Sequence, residues 1–218
     1  MRLTKTQRGF TLVELSIVLV IIGLIIGGVL TGQQIIQNAR ITNALNGIQA
    51  FQAQFQTYAQ NYGALPGDDP SATTRFPNAN LSGNGNGDGM VGTGSSFDTS
   101  STSGLASESL LVWAHLRAAG LVKNQQNGTS TAIQPPNPFG GIYGFQNGAF
   151  AGVFTTTVLC MNKVPSSAAQ AIDARLDDGA SNTGNVQATV DTGVQGASGN
   201  AVATSYGAGD TFIVCIRM

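Results

Sequence analysis

The chain has 218 residues, of which 42% are hydrophobic and only 10% are charged. Its formal net charge is −1, and residues 10–218 carry seven basic and 11 acidic residues because three basic residues lie in the first nine positions. This length allows one sizeable domain with an extra segment, and the acidic balance gives no evident contact surface for nucleic acid.

The first predicted element is the apolar stretch FTLVELSIVLVIIGLIIGGVL at residues 10–30. As a helix rising about 1.5 Å per residue it would reach about 31 Å, close to the hydrocarbon thickness of a bilayer. Three basic residues precede the stretch and no basic residue follows before Arg40. The positive-inside rule therefore predicts a single-pass helix with everything after it outside the cytoplasm.

Two ordinary interpretations of this stretch are less satisfactory. A secretory signal peptide would have an apolar region of about 7–15 residues and a small-residue cleavage site, which is absent here. A plain signal anchor fits the hydropathy but leaves Glu14 unexplained, since a carboxylate in the membrane costs about 2.5–3.5 kcal/mol on insertion scales. Glu14 is either a protonated or snorkelling acid near the helix end, or a carboxylate with a cationic partner.

The residues around this acid, Arg8-Gly9-Phe10-Thr11-Leu12-Val13-Glu14-Leu15, resemble the processing site of type IV prepilins and type II secretion pseudopilins. The resemblance implies that a prepilin peptidase cuts after Gly9 and methylates the new amine of Phe10. It also implies a filament, in which Glu14 of one subunit neutralises the Phe10 amine of an adjacent subunit in the membrane.

The helix is predicted to continue beyond the membrane as an amphipathic segment over residues 31–62. Apolar residues recur there at three- and four-residue steps, at Ile41, Leu45, Ile48, Phe55, Ala59 and Tyr62. Gly63-Ala64-Leu65-Pro66 ends the helix, because proline cannot continue helical hydrogen bonding. The resemblance implies a pilin-like α+β fold, in which an antiparallel sheet packs on the outer half of the long helix.

The remaining predicted elements belong to the globular head, residues 63–218. Two β-rich runs flank Asn147-Gly148 and predict a hairpin with its turn at these two residues, because both positions tolerate positive φ. A further β-rich run covers 211–216, and shorter helices are predicted at 108–119 and 168–176. The whole chain is therefore expected to comprise a cleaved leader (1–9), a transmembrane and filament-core helix (10–30), its amphipathic continuation (31–62) and the head.

Cys160 and Cys215 are the two cysteines, and they lack the spacing of a zinc site. An oxidising, extracytoplasmic location favours one long-range disulfide over two buried thiols, and the cysteines could join neighbouring strands. The predicted loop 160–215 resembles the C-terminal disulfide loop of many pilins, and it favours a pilus subunit over a secretion pseudopilin.

A glycine-rich loop at residues 82–104 cannot bury a core of its own. Within it, Asn84-Gly85-Asn86-Gly87-Asp88 places side-chain oxygens at alternate positions before a glycine, as the start of a calcium loop does. The closing bidentate glutamate is missing, so only Asp98 or Glu108 would compensate the low charge. Asn84, Asn86 and Asp88 are thus a candidate calcium site, and a flexible loop is the simpler interpretation.

No residue pattern in this sequence indicates a catalytic group. His115 is the sole histidine, and it lies on a predicted helix with no nucleophile motif, which favours a packed or surface helix residue over a catalyst. We expect a non-enzymatic structural subunit without a cofactor, processed by prepilin peptidase at the bacterial inner membrane. It would assemble with copies of itself or other pilins into a cell-surface or periplasmic filament. The alternatives are a type II secretion pseudopilin and a solitary signal-anchored binding protein.

Overall fold

The computed structural model describes residues 10–79, 81, 83–92, 97, 107–123, 134–193 and 201–218. The helices are α1 Leu12–Tyr62, α2 Ala72–Arg75, α3 Glu108–Ala118 and α4 Ser166–Leu176. The strands are β1 Tyr143–Ala149, β2 Phe154–Pro165, β3 Val186–Val190 and β4 Thr211–Arg217. The predicted leader, residues 1–9, lies outside the described residues.

The chain divides after Ala39 into two compact units. Within the described residues, the first unit contains only the beginning of α1. The second unit holds the rest of α1, the other helices and the sheet. Helix α1 ends at the predicted place: Gly63 adopts a φ of +68°, and its N–H donates to the Ala59 carbonyl at 2.9 Å. Glycine is favoured at this position because it has no Cβ to clash in the left-handed conformation.

One antiparallel sheet, with strand order β1-β2-β4-β3, forms the centre of the second unit. Alternate residues of β2 and β4 point to opposite faces. Leu159 and Met161 join the core formed with the helices, which also contains Ile48, Phe55 and Trp113. The α+β architecture expected from the resemblance is confirmed, as are the two shorter helices to within two residues.

The opposite face of the sheet has a smaller apolar cluster of its own. Val158 and Cys160 from β2 and Ile213 and Cys215 from β4 lie in it, and further buried members are Phe97, Ala149, Phe150 and Phe154. The sheet is therefore covered by apolar contacts on both faces. This second cluster explains why the region after β1 does not turn where the sequence indicates.

The predicted turn at Asn147-Gly148 is wrong, although the hairpin itself exists. Asn147 pairs with Thr157 and Ala149 pairs with Phe154, so both predicted turn residues belong to β1, and the register shifts between Asn147 and Ala149. The chain reverses instead through a 3₁₀ turn at Phe150–Gly152. Phe150 takes a positive φ of 56° there and is fully buried, so its burial offsets the backbone strain.

Candidate functional site

The described part of the first unit presents a largely apolar surface to its surroundings. From Phe10 to Ile36 the large hydrophobic side chains are exposed, with exposed fractions from 46% at Ile22 to 88% at Leu12. Among the described residues, α1 is the one helix long and apolar enough to cross a membrane, and its most apolar window has a mean hydropathy of 2.7. An exposed apolar surface of this extent indicates burial in lipid or against other helices.

Glycines interrupt this apolar surface at four positions. Gly23, Gly27, Gly28 and Gly32 have no atom within 4 Å of the place where a Cβ would stand. Gly23 and Gly27 are four residues apart, and so are Gly28 and Gly32. This small-xxx-small spacing lets membrane helices approach closely. The open space at these glycines is thus available to a neighbouring helix.

Glu14 lies in the first turn of α1, where it forms a reciprocal capping arrangement with Thr11. The Thr11 N–H and hydroxyl both donate to Glu14 Oε2 at 2.9 Å, and the Glu14 N–H donates to Thr11 Oγ1 at 3.3 Å. This is the Thr-x-x-Glu capping box, which satisfies two otherwise unpaired N–H groups. The Thr-x-x-Glu spacing is visible in the sequence, so Glu14 has a capping role in addition to its predicted role as a membrane charge.

The two cysteines form a disulfide between paired residues of neighbouring strands. Cys160 on β2 is the register partner of Cys215 on β4, and their Cα atoms are 4.0 Å apart. Both residues are fully buried in the smaller apolar cluster. The bond joins residues that are 55 positions apart, and the loop that it closes contains α4 and β3.

The candidate calcium residues form hydrogen bonds with α2 and with their own loop. Asn84 Oδ1 accepts the Thr73 N–H at 2.8 Å, and Asn86 Oδ1 accepts the Asp88 N–H at 2.9 Å. Asn86 also donates through Nδ2 to Asp88 Oδ2 at 2.9 Å. The oxygens that the sequence pattern offers to a cation therefore already form hydrogen bonds with α2 or with the loop, and calcium binding at these residues stays a prediction.

A carboxylate that the sequence analysis missed organises this loop. Asp68, whose side chain is buried, accepts N–H groups from Gly87 and Asp88 on Oδ1 and from Gly89 on Oδ2, at 2.6, 3.1 and 2.8 Å. Glu108 accepts two more loop N–H groups, from Asn86 and Gly92. No local signal points from Asp68 to residues some 20 positions further along the chain.

Carboxylates come together at two places among the described residues. Asp68, Asp88 and Glu108 bring one oxygen each within 4.8 Å of one another, and Asp173, Asp177 and Asp178 do the same. In the first group Asp68 is already surrounded by N–H donors, and in the second Asp173 accepts the Tyr206 hydroxyl at 2.6 Å. Each group thus serves to hold loops of the head in place.

Asp69, beside Asp68, is the centre of a buried polar contact between α1 and α2. It accepts the Tyr58 hydroxyl at 2.8 Å and pairs with Arg75 Nε at 3.2 Å. Burial alone would raise the pKa of Asp69, but hydrogen bonds from Ser71, Tyr58 and Arg75 lower it below the ordinary value. The carboxylate is therefore held ionised, and it fixes the segment after α1 against that helix.

His115 is packed inside the head, which decides between the packed and the surface position that the sequence left open. Its side chain is fully buried on α3 and stacks on Tyr58 with ring centroids 6.2 Å apart. Its Nδ1 accepts the Gly67 N–H at 3.0 Å. Among the described residues no serine, cysteine or acid is hydrogen-bonded to this imidazole.

Comparison with protein families matches residues 4–30 to the prokaryotic N-terminal methylation motif. Neither a curated protein nor a solved structure matches the chain significantly. The matched residues include the exposed first turns of α1 and the Thr11–Glu14 capping box. The chain therefore carries a prepilin-type N-terminal methylation motif at residues 4–30, typical of type IV pilins and pseudopilins, on a pilin-like α+β architecture.

Proposed function

We propose that this chain is the structural subunit of a type IV pilus-like filament. The observation that carries the proposal is a prepilin-type motif on a helix whose large apolar side chains are exposed as far as Ile36, followed by a disulfide-bonded head. Prepilin peptidase cuts after Gly9, residues 1–9 leave, and the Phe10 amine is methylated. Residues 10–30 then move from the inner membrane into the filament core.

Charge neutralisation explains why assembly needs Glu14. The amine of Phe10 becomes positive once the leader is removed, and a lone charge in an apolar filament core is costly. A carboxylate from an adjacent subunit offsets that cost, because attraction between opposite charges is strong where water is excluded. Thr11 holds Glu14 against the first turn of its own helix, which keeps the carboxylate at the height of the chain terminus.

A second candidate within the same class is a pseudopilin of a type II secretion system. The Cys160–Cys215 bond supports the pilus, because a subunit exposed outside the cell benefits most from a covalent constraint on its C-terminal part. Shearing cells and probing the released filaments for this chain separates the two. Presence in surface filaments supports the pilus, whereas retention in the envelope with loss of protein secretion on gene deletion supports the pseudopilin.

A different class remains in which the chain is a solitary anchored binding protein. Substitution of Gly9 or Glu14 would then leave its activity intact. We propose instead a non-enzymatic subunit without a cofactor, whose partners are prepilin peptidase, the inner membrane and other pilin subunits. In support, His115 and Asp68 are used in packing and loop contacts.

Mass spectrometry of the N-terminus tests the proposal directly. The protein is taken from its native membrane and from the sheared surface fraction, and its N-terminal peptide is sequenced. A methylated Phe10 terminus is the expected result. An intact terminus before Gly9, or a cut at another position, would contradict prepilin processing and favour the solitary anchor.

A further inference from the structure

His115 joins α3 to the segment that follows α1 through a hydrogen bond with a fixed direction. A backbone N–H can only donate, so the 3.0 Å contact from Gly67 N requires an unprotonated Nδ1. The other ring nitrogen, Nε2, lies 3.4 Å from the Gly83 carbonyl oxygen, which can only accept. The two contacts together select a neutral imidazole with its proton on Nε2.

Gly67 is packed so closely on α3 that this bond cannot easily be replaced. A Cβ at Gly67 would lie 2.6 Å from the Glu108 carbonyl oxygen and 2.7 Å from Val112 Cγ2. Gly67 also adopts a φ of +94°, which only glycine reaches without strain. Protonation of Nδ1 would place two N–H groups face to face at this contact, and Gly67 would have to move away from α3.

The residue after Gly67 passes such a movement to the loop at residues 83–92. Asp68 accepts the N–H groups of Gly87, Asp88 and Gly89, and a Cβ at Gly85 would lie 2.2 Å from the Asp68 backbone. The loop is therefore built on Asp68 rather than on α3 alone. A shift of Gly67 and Asp68 carries the loop with it.

We propose that His115 is an acid-sensitive latch, whose protonation releases Gly67 from α3 and thereby loosens residues 63–79 and 83–92 while the sheet stays folded. Burial and the polar groups facing the imidazole have opposite effects on its pKa. Burial lowers the pKa of His115 below its ordinary value, and the Gly83 carbonyl and the Asp69 charge oppose that effect. Tyr58 on α1 stacks on the imidazole ring, but its hydroxyl donates a hydrogen bond to Asp69. Asp69 also forms an ion pair with Arg75.

The sign of the effect follows from the lowered pKa. The released state exposes an ordinary imidazole, whose reference pKa is 6.5, and so it binds the proton more tightly than the closed state. Between the two pKa values, the released population rises about tenfold for each pH unit of acidification. Below the pKa of the closed state, further acidification no longer increases the released population. The latch is therefore closed at neutral pH and opens in mild acid.

The sole histidine makes the first test unambiguous, because the full-length chain in detergent micelles gives a single imidazole signal. With ¹³C,¹⁵N-labelled histidine and ¹⁵N-glycine, nuclear magnetic resonance should show an unprotonated Nδ1 at neutral pH. The Gly67 amide should then shift with the same midpoint as the imidazole, below 6.5. A proton on Nδ1 at neutral pH, or a Gly67 amide that ignores the imidazole titration, would overturn the proposal.

Amide exchange measured by mass spectrometry gives the second test. After correction for intrinsic pH dependence, peptides from 63–92 should exchange several-fold faster at about pH 5 than at about pH 7, while the β4 peptide 211–217 should not change. His115→Asn keeps an acceptor near the Nδ1 position and cannot be protonated, so its acid response should vanish. An equal response in His115→Asn refutes the latch. The resonance titration uses the unaltered chain and decides the question even if this variant fails to fold.

Discussion

The hydroxyl of Tyr143 lies 2.7 Å from the point where a Cβ on Gly47 would stand. Gly47 belongs to α1 and Tyr143 begins β1, so the absence of one side chain sets how closely helix and sheet approach at this contact. The hydroxyl also donates to the Ala44 carbonyl at 3.3 Å. Because the tyrosine is buried, its pKa is raised to about 12, and the hydroxyl keeps its proton at physiological pH.

We expect Gly47→Ala to destabilise the head. The added methyl group would meet a tyrosine that the core holds in place, and such overpacking costs about 1–3 kcal/mol. Alanine is a better helix former than glycine by about 1 kcal/mol, so the net loss in the free energy of unfolding should be about 1 kcal/mol. Chemical denaturation of the full-length chain in detergent measures it.

Two variants control this prediction. Gly32→Ala makes the same change in α1 at a position with no neighbour within 4 Å, and it should leave the free energy of unfolding unchanged or slightly increased. Tyr143→Phe in the Gly47→Ala background removes the nearest atom and should recover part of the loss. A Gly47→Ala chain as stable as the original would show that the head adjusts without cost.

Glu14 can be tested for its charge separately from its capping role. Glutamine at the same position keeps the capping box with Thr11, since its amide oxygen accepts the same N–H, but it loses the negative charge. Removing one partner of a buried charge pair costs about 2–5 kcal/mol, so Glu14→Gln should reduce surface filaments at least about tenfold. Cleavage after Gly9, read by mass spectrometry of the N-terminus, should be unaffected.

Glu14→Ala serves as the comparison, because it removes both the charge and the cap. Equal assembly defects in the glutamine and alanine variants identify the charge as the needed property. Normal filaments from Glu14→Gln, with a defect in Glu14→Ala alone, would instead assign Glu14 to helix capping and reject its proposed pairing with Phe10.

The features that sequence reasoning predicted are those with a local physical cause. The apolar run and the Gly63-to-Pro66 stop determine α1, and the β-rich runs around the cysteines determine β2 and β4. The prediction of the hairpin turn failed because Asn147-Gly148 is a local signal, whereas the actual turn depends on burial of Phe150 in the smaller apolar cluster of the sheet. Tertiary burial outweighed turn preference at that point.

The polar contacts of the chain divide in the same way. The Thr11–Glu14 box has a sequence signature and could have been predicted. Asp68 could not, because its three N–H partners lie 19 to 21 residues further along the chain in a loop without regular structure. A carboxylate that organises a distant loop leaves no periodicity or spacing in the sequence.

The disulfide should contribute a large share of the stability of the head. Its residues are 55 positions apart, and on the chain-entropy model closing such a loop stabilises the fold by about 4 kcal/mol. We expect the Cys160→Ala/Cys215→Ala chain to lose about that amount in chemical denaturation. Alkylation of the unreduced, denatured protein should find no free thiol, and two thiols in the native protein would contradict the bond.

The hydrogen bonds of Asn84 and Asn86 allow the affinity of the candidate calcium site to be predicted. Binding through Asn84, Asn86 and Asp88 would require both asparagine oxygens to leave their present N–H donors, so affinity should be in the weak, extracellular range of about 10⁻⁴–10⁻³ M. Calcium at a hundredfold excess over Kd should stabilise the head by about 2.7 kcal/mol. Thermal unfolding with calcium, with magnesium and with Asp88→Asn measures this, and an unchanged Tm in saturating calcium would exclude the site.

Asp173 on α4 is a buried acid whose ionisation opposes folding. Burial raises the pKa of Asp173 above its ordinary value of 3.8, although hydrogen bonds from Tyr206 and Gly179 partly counteract burial. A carboxyl group with a raised folded pKa contributes stability below its unfolded pKa and loses that contribution as pH rises through the folded value. Near neutral pH the charge on Asp173 is therefore a cost.

Asp173→Asn should remove this cost, because its amide oxygen can still accept the Gly179 N–H and its NH2 group can donate to the Tyr206 hydroxyl oxygen. The free energy of unfolding of the variant, relative to the original chain, should thus rise between about pH 3 and about pH 7. Asp178→Asn is the matched control with the opposite sign, because hydrogen bonds from Thr183 and Ala180 lower the pKa of this exposed acid. Its relative stability should fall over the same range. Denaturation of both variants across this range measures the two slopes, and parallel slopes would show that burial of Asp173 does not control its ionisation.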